Sequence, residues 1–442
     1  MKIQPAEGWS WARRMIALGM LLVFVQEFRP LSVLFTYSDF FFILGGALLI
    51  AGRGVASKPF GSFTHYWYLA FAVMIGFLLA SSLVNGSAER GFIFVIQYVF
   101  AFAFLPFILH SETSERWRNL VTFMLVGLAG MELFTLGVLI YHDFNYLTLL
   151  NAFGPLFYSG NGRVGALVGN PNTHSAMLCM ALPFVYYFRL RGWMPLWAFV
   201  AMMTIIIGGI VFSASATGTA TAILVSLVFA VIARLRPSPG FFAVTGLVAA
   251  GWLVAGAPLP RAFEARVAPA ISSGNVEEAG TFTSRVELME EAWAVANETT
   301  VLGLGADQFR TVSDHGAPVH NAYLLMWTEG GFLAFLGWTG LVLILFICPL
   351  RMVFRRPLEA ALGLATMTAF FIFSQGTTAM YARMWTAVAL LSIAPAVALQ
   401  TQLFAQRQRA AGYKRFHAPS GAPEGARADW AGDAESVRPL LS

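Results

Sequence analysis

Three short segments concentrate polar residues in an otherwise apolar chain. The first runs from Gly160-Asn161-Gly162-Arg163 to Asn170-Pro171-Asn172-Thr173-His174, just ahead of an apolar stretch. Its glycines let backbone approach a ligand or turn tightly. Asn172 or Thr173 can cap the following helix, whose first amides then face any docked anion. The second segment is Thr283-Ser284-Arg285, where a guanidinium can grip phosphate through two parallel hydrogen bonds, which lysine cannot reproduce. The third is Pro318-Val319-His320-Asn321-Ala322-Tyr323, followed by Glu329-Gly330-Gly331. An imidazole, with an ordinary pKa of about 6.5, suits a general base. Each segment also has a plainer reading: a re-entrant turn with a capped helix, an intrahelical pair of Arg285 with a neighbouring glutamate, and a satisfied interfacial histidine. Asp314, His315 and His320 lie close in sequence but match no standard metal-ligand spacing. No metal or other cofactor is expected.

The elements that must position these residues are membrane helices. Of 442 residues, 57% are hydrophobic and 12% charged, with mean hydropathy +0.67. Soluble domains carry roughly 25% charged residues, so an ordinary cytosolic enzyme is excluded, and disorder needs low hydrophobicity. Apolar runs of about 20 residues, long enough to span a bilayer, recur from Met15 to Phe404. They predict twelve spans, at 12–28, 31–51, 65–84, 91–109, 120–140, 173–190, 194–213, 216–233, 240–257, 321–350, 358–379 and 384–404. The first follows Arg13 and Arg14 but lacks a small-residue cleavage site, so it reads as an anchor. With both termini cytoplasmic, 20 of the 28 lysines and arginines fall on that side; Arg29, Arg90, Arg163, Arg261, Arg266, Arg285, Arg310 and Arg383 face outward. That bias is the positive-inside signature, so the net charge of +5 reports topology rather than a nucleic-acid partner. Cys179 and Cys348 lie inside apolar stretches with no Cys/His neighbour and read as packing residues.

The chain therefore divides into helices one to nine (1–257), an outer loop (258–319), helices ten to twelve (320–406) and a disordered cytoplasmic tail (407–442). A structureless loop of 62 residues is improbable. Its second half reads as an amphipathic helix on the membrane surface or over a cavity, with Ser284 and Glu287 as a capping box and Val286, Met289, Trp293 and Ala296 as its apolar face. Glu132, inside helix five, is either functional or hydrogen-bonded to another helix. Ser213, Ser215, Thr217 and Thr219 around Gly218 read as a small-residue turn for close packing.

Together the segments resemble the O-antigen ligase and O-antigen polymerase superfamily, which includes exopolysaccharide polymerases. The resemblance rests on Arg163 with Asn170-Pro171-Asn172, on Ser284-Arg285, Trp293, Gly303-Leu304-Gly305 and Phe309, and on His320-Asn321 followed by Gly331. It covers roughly 163–340; the first 150 residues match only in hydropathy. It implies an all-α membrane protein of the GT-C glycosyltransferase type, with about 12 transmembrane helices and a large, partly helical periplasmic loop. The implied reaction is an inverting, metal-independent transfer in the bacterial inner membrane, from a glycan on undecaprenyl diphosphate at the periplasmic face. His320 would take the acceptor proton, and Arg163 and Arg285 would bind the diphosphate; Asn170, Asn172, Asn321, Tyr323, Arg310 and Glu329 are the substrate-binding candidates. The acceptor would be lipid A-core for a ligase, or a second lipid-linked repeat for a polymerase; membrane lipids are the remaining partner. Many relatives carry an arginine where this chain has Ser215-Ala216-Thr217, and the histidine motif often closes with Gly, Thr or Tyr where Ala334 stands. A third phosphate-binding arginine is thus unassigned. A glycan transporter, or a structural part of an export complex, are the competing classes; a transporter should show broken or charged helices near the midplane of both halves.

Overall fold

The computed structural model describes residues 11–26, 34–52, 55, 58–110, 114–235, 263, 282–299 and 301–416. Among them the fold is helical, with a single antiparallel bridge between Tyr158 and Val164. The first half holds α1 (Trp11–Leu21), α2 (Tyr37–Ala51), α3 (Thr64–Val84), α4 (Ala88–Tyr98), a π-helical stretch (Val99–Phe104), α5 (Leu105–Leu109), α6 (Ser114–Tyr141) and α7 (Tyr146–Phe153). Then come α8 (Pro171–Leu190), α9 (Leu196–Ser213), α10 (Ala216–Ile232), α11 (Phe282–Glu298), α12 (Phe309–Val312), α13 (Ala322–Gly330), α14 (Phe332–Leu350), α15 (Pro357–Ser374) and α16 (Arg383–Phe416). The chain divides into two compact units, Met1–Val397 and Ala398–Ser442; α1 to α15 belong to the first.

Seven helical stretches among the described residues are long and apolar enough to cross a membrane, and α2 and α10 are shorter apolar helices. Ten of the twelve expected spans overlap a single helical stretch, the tenth is divided, and the ninth, 240–257, lies outside the described residues. Helix α8 is buried almost throughout, from His174 to Phe188, with α9, α10 and α15 packed around it. A helix shielded from lipid tolerates polar residues, so α8 carries His174 and Ser175 although it is not among the seven.

The expected tenth span, 321–350, is corrected: it is two helices, α13 and α14, broken at Gly331. There φ is +84° and a Cβ would sit 2.1 Å from the Val301 carbonyl oxygen. Glycine alone accepts both that φ and that approach. Two further expectations change. Ser284 stands inside α11 rather than at its cap, because the helix begins at Phe282. The last helix continues to Phe416, into the expected tail, where Gln, Arg and Ala favour helix ahead of Pro419.

Hydrogen bonds and ion pairs between helices identify which ends lie together. Arg383, at the start of α16, is ion-paired with Asp39 in the first turn of α2. Asn85, just past α3, donates to the Gly303 carbonyl at 2.9 Å. The backbone N–H of Gln26, beyond α1, donates to the Leu167 carbonyl at 3.0 Å. At the opposite end Arg191 pairs with Glu359, fixing α8 and α15 as an antiparallel pair. Arg13, Arg14, Lys58, Arg116, Arg118, Arg189, Arg234 and Arg351 follow helix direction to that same end.

Candidate active site

Arg163 lies in the segment between α7 and α8, half-buried and held at several points. Its backbone amide donates to Ser159 Oγ at 3.2 Å, its Nε to the Ser213 carbonyl at 3.0 Å and a terminal nitrogen to Asn172 Oδ1 at 2.7 Å. Ser213 closes α9, so its carbonyl has no helical partner and sits at the negative end of the helix dipole, where a cation is favoured. Asn170 caps α8 by accepting the amides of Asn172 and Thr173. Ser215 caps α10 by accepting from Gly218 at 3.1 Å and also donates to Asn172 Oδ1 at 3.3 Å. The turn read as a packing element thus ties Arg163 to two helix starts. A guanidinium beside the amino ends of α8 and α10 makes a positive locus suited to an anion.

His320 is half-buried and directly precedes Asn321, the N-cap of α13. Asn321 Oδ1 accepts the amides of Tyr323 and Leu324, and its Nδ2 donates to Gln375 Oε1 at 2.8 Å. Gln375 closes α15. Because α8 and α15 are antiparallel and close to 20 residues each, about 30 Å long, the end of α15 that holds Asn321 stands level with the start of α8 that holds Arg163. The histidine and the first arginine therefore share one end of the bundle. Gln375 escaped the sequence reading because it lies inside the apolar run 358–379; the Gln-Gly-Thr-Thr at 375–378 was its signal.

Arg285 falls in the first turn of α11, which packs on α13. The buried face of α11 is Leu288, Ala292 and Ala296, set on Phe309, Val319, Leu324 and Leu325. Val286, Met289 and Trp293 of the expected stripe are exposed; only Ala296 keeps its assigned place. The small alanines win because they let α11 lie close to α13. Glu291 on this helix accepts from Ser313 Oγ at 2.8 Å and the Asp314 amide at 2.7 Å. His315 stands 3.5 Å from both Glu287 and Glu291. Asp314 and His315 are thus bound to α11, five or six residues before His320.

The remaining candidates have structural partners. Glu329, 3% exposed, accepts the backbone amides of Asp307 at 2.9 Å and Phe309 at 3.4 Å, and so fixes the turn after Gly303-Leu304-Gly305. Burial pushes its carboxyl up to about 8, against the opposing pull of those two amides. It precedes the spanning helix α14 and anchors the turn rather than facing an open cleft. Tyr323 packs edge-on against Trp338 and Phe371, 6.2 and 5.9 Å between ring centres. Arg310 is 43% exposed and pairs with Asp307 at 2.8 Å, while Arg90 reaches the same carboxylate at 3.6 Å. Glu132 forms a buried pair with His174, Oε1 to Nε2 at 2.5 Å, which settles its hydrogen-bonding alternative without assigning it chemistry. The pair Asp39–Arg383, also buried, was invisible in the sequence, where Arg383 counted only as an outward arginine. Its Nε donates to Asp39 Oδ1 at 2.8 Å, and its guanidinium lies 5.1 Å from the centre of the Phe100 ring, in the π-helical stretch. Among the described residues no group of three or more His, Cys, Asp or Glu is arranged to hold a metal ion.

Residues 201–339 match a family model described as O-antigen ligase. The matched stretch includes Arg285, Arg310, His320, Asn321, Tyr323 and Glu329, and begins after Arg163, Asn170 and Asn172. A search of curated proteins finds no match. The family match and the helical architecture support the O-antigen ligase/polymerase superfamily and a membrane protein of the glycosyltransferase kind.

Proposed function

We propose that this protein is a periplasm-facing membrane glycosyltransferase that moves an oligo- or polysaccharide from undecaprenyl diphosphate to an acceptor hydroxyl. Lipid A-core is the acceptor we favour, with a second lipid-linked repeat as the polymerase alternative. The observation that carries the reading is the shared level of Arg163 and His320: a guanidinium flanked by two helix amino ends, and an imidazole set by Asn321 on the end of α15. The O-antigen ligase match supplies the chemistry class. The basic opposite end of the bundle supports the orientation, since lysine and arginine favour the cytoplasmic side.

In this reading the donor arrives already activated on a lipid, which suits a face with no nucleotide-sugar supply. His320 removes the proton of the acceptor hydroxyl as its oxygen attacks the anomeric carbon from the side opposite the leaving group, inverting the configuration. The anomeric carbon–oxygen bond breaks and its electron pair goes to the diphosphate. Arg163, with the amino ends of α8 and α10, and Arg285 on α11 stabilise that growing charge without a metal. One such preorganised donor contributes about 3 kcal/mol to the transition state. Helix α11 packs on α13 and on Val319, the residue before His320, and in this reading limits hydrolysis by excluding water. A transporter reading gains less support, because the polar candidates gather at one end of the bundle. Testing is direct: purified protein given a lipid-diphosphate glycan in the presence of chelator should form a new glycoside. A requirement for added divalent ion would defeat the metal-free mechanism.

A further inference from the structure

Beneath the Arg163 segment lies a hydrogen-bonded chain that the proposed chemistry does not use. His174, in the first turn of α8, is fully buried, and Glu132 of α6 is 8% exposed. The imidazole Nδ1 is 3.0 Å from the Val164 carbonyl oxygen, and Nε2 is 2.5 Å from Glu132 Oε1. A carbonyl can only accept, so Nδ1 carries a proton and donates it to Val164. The other nitrogen shares one proton with the carboxyl. Written as imidazolium and carboxylate, or as imidazole and carboxylic acid, the pair is neutral, so it adds no net charge beneath the Arg163 segment. Helix α9 closes over the carboxyl: a Cβ at Gly209 would fall 2.8 Å from Glu132 Oε2.

Val164 follows Arg163 directly, and its own amide donates to the Phe212 carbonyl at 3.1 Å. Both polar groups of Val164 are therefore fixed, one by α9 and one by the buried pair. We propose that Glu132 and His174 are positioning residues for Arg163: they hold the backbone from which its guanidinium meets the donor diphosphate. This rests on the proposed role of Arg163. A buried ion pair is seldom needed for stability, since apolar residues of similar volume often serve as well. This pair ends on one carbonyl of the functional segment, where direction matters and apolar packing supplies none.

The test is a kinetic cycle with the full-length protein in proteoliposomes, a lipid-diphosphate glycan as donor and either acceptor. Glu132→Ala should lower kcat/KM for the donor at least about tenfold, with the acceptor KM unchanged. Glu132→Gln should restore most of it, because its amide can donate to Nε2 and keep the Nδ1 proton on Val164. On an Arg163→Lys background Glu132→Ala should cost nothing further, the mark of residues acting as a unit. The double variant Glu132→Leu/His174→Phe removes both buried polar groups; it should keep the thermal midpoint and still lose donor kcat/KM. Wild-type donor kinetics in Glu132→Ala or in the double variant, or an equal loss on the Arg163→Lys background, would overturn the proposal. Absence of transfer by the wild type with both acceptors would instead defeat the proposed function.

Discussion

At the scale of residues, Arg163 divides its donors between a helix-end carbonyl and the side chain of Asn172 in the first turn of α8, so its planar fork is pre-aimed before any ligand arrives. A lysine has the charge without the fork. Arg163→Lys should therefore fold normally and lose about a hundredfold in kcat, the usual effect of removing one preorganised donor; steady-state rates with a fixed donor would show it. The pair Asp39–Arg383 makes a stability prediction of another kind. Truncating one partner strands a buried charge, so Arg383→Met should cost about 3–5 kcal/mol, and Asp39→Leu in the same chain should recover much of it; thermal midpoints in detergent would measure both. Glu329 ties stability to pH. Its carboxyl titrates near 8 when folded against an ordinary 4.5, so the folded state holds a proton that the unfolded chain releases earlier. That stabilisation is complete below about 4.5 and is lost as pH rises through about 8. The thermal midpoint should fall as pH rises from about 4.5 to about 8, and Glu329→Gln should flatten that slope.

At the scale of elements, side-chain caps mark one end of the bundle. Thr36, Ser87, Asn170, Ser215 and Asn321 cap α2, α4, α8, α10 and α13, all starting at the end that holds Arg163 and His320. Helices α3, α9 and α15 start at the basic end without side-chain caps. The caps thus set the functional end as a field of oriented amides. Gly331 is the joint of this end: Gly331→Ala should destabilise by at least about 2 kcal/mol through its positive φ and the Val301 contact. Gly76→Ala, with open space around it, should leave the thermal midpoint unchanged or raise it. Most helices were legible because a bilayer span needs one long apolar run. The break at Gly331 was not, since Leu-Leu-Met-Trp-Thr-Glu-Gly-Gly-Phe (324–332) reads as one such run and the carbonyl that forces the break lies thirty residues earlier. The buried face of α11 was misread for a related reason: Ala292 and Ala296 are weak in hydropathy yet decide how close the helix can lie. Arg163, His320 and Asn321 were legible as motif residues. Their linkage through Asn172, Ser215 and Gln375 was not, because it is made between helices.

At the scale of the molecule, the two ends of the bundle differ in charge and in chemistry, and the proposed orientation puts the capped end outside the cytoplasm. The native thiols Cys179 and Cys348 are both buried, so they give a silent background. Asn161→Cys should react with a membrane-impermeant maleimide on intact cells, and Arg355→Cys should react only after lysis; the reverse pattern would invert the topology. The central claim is that an imidazole and a guanidinium at one end of this bundle act on one lipid-linked donor. Its most direct test is glycoside formation by reconstituted protein with chelator present, comparing wild type with His320→Ala. Transfer by the wild type and none by the variant at equal folded protein is the expected result; full activity of His320→Ala would rule out the histidine as the base.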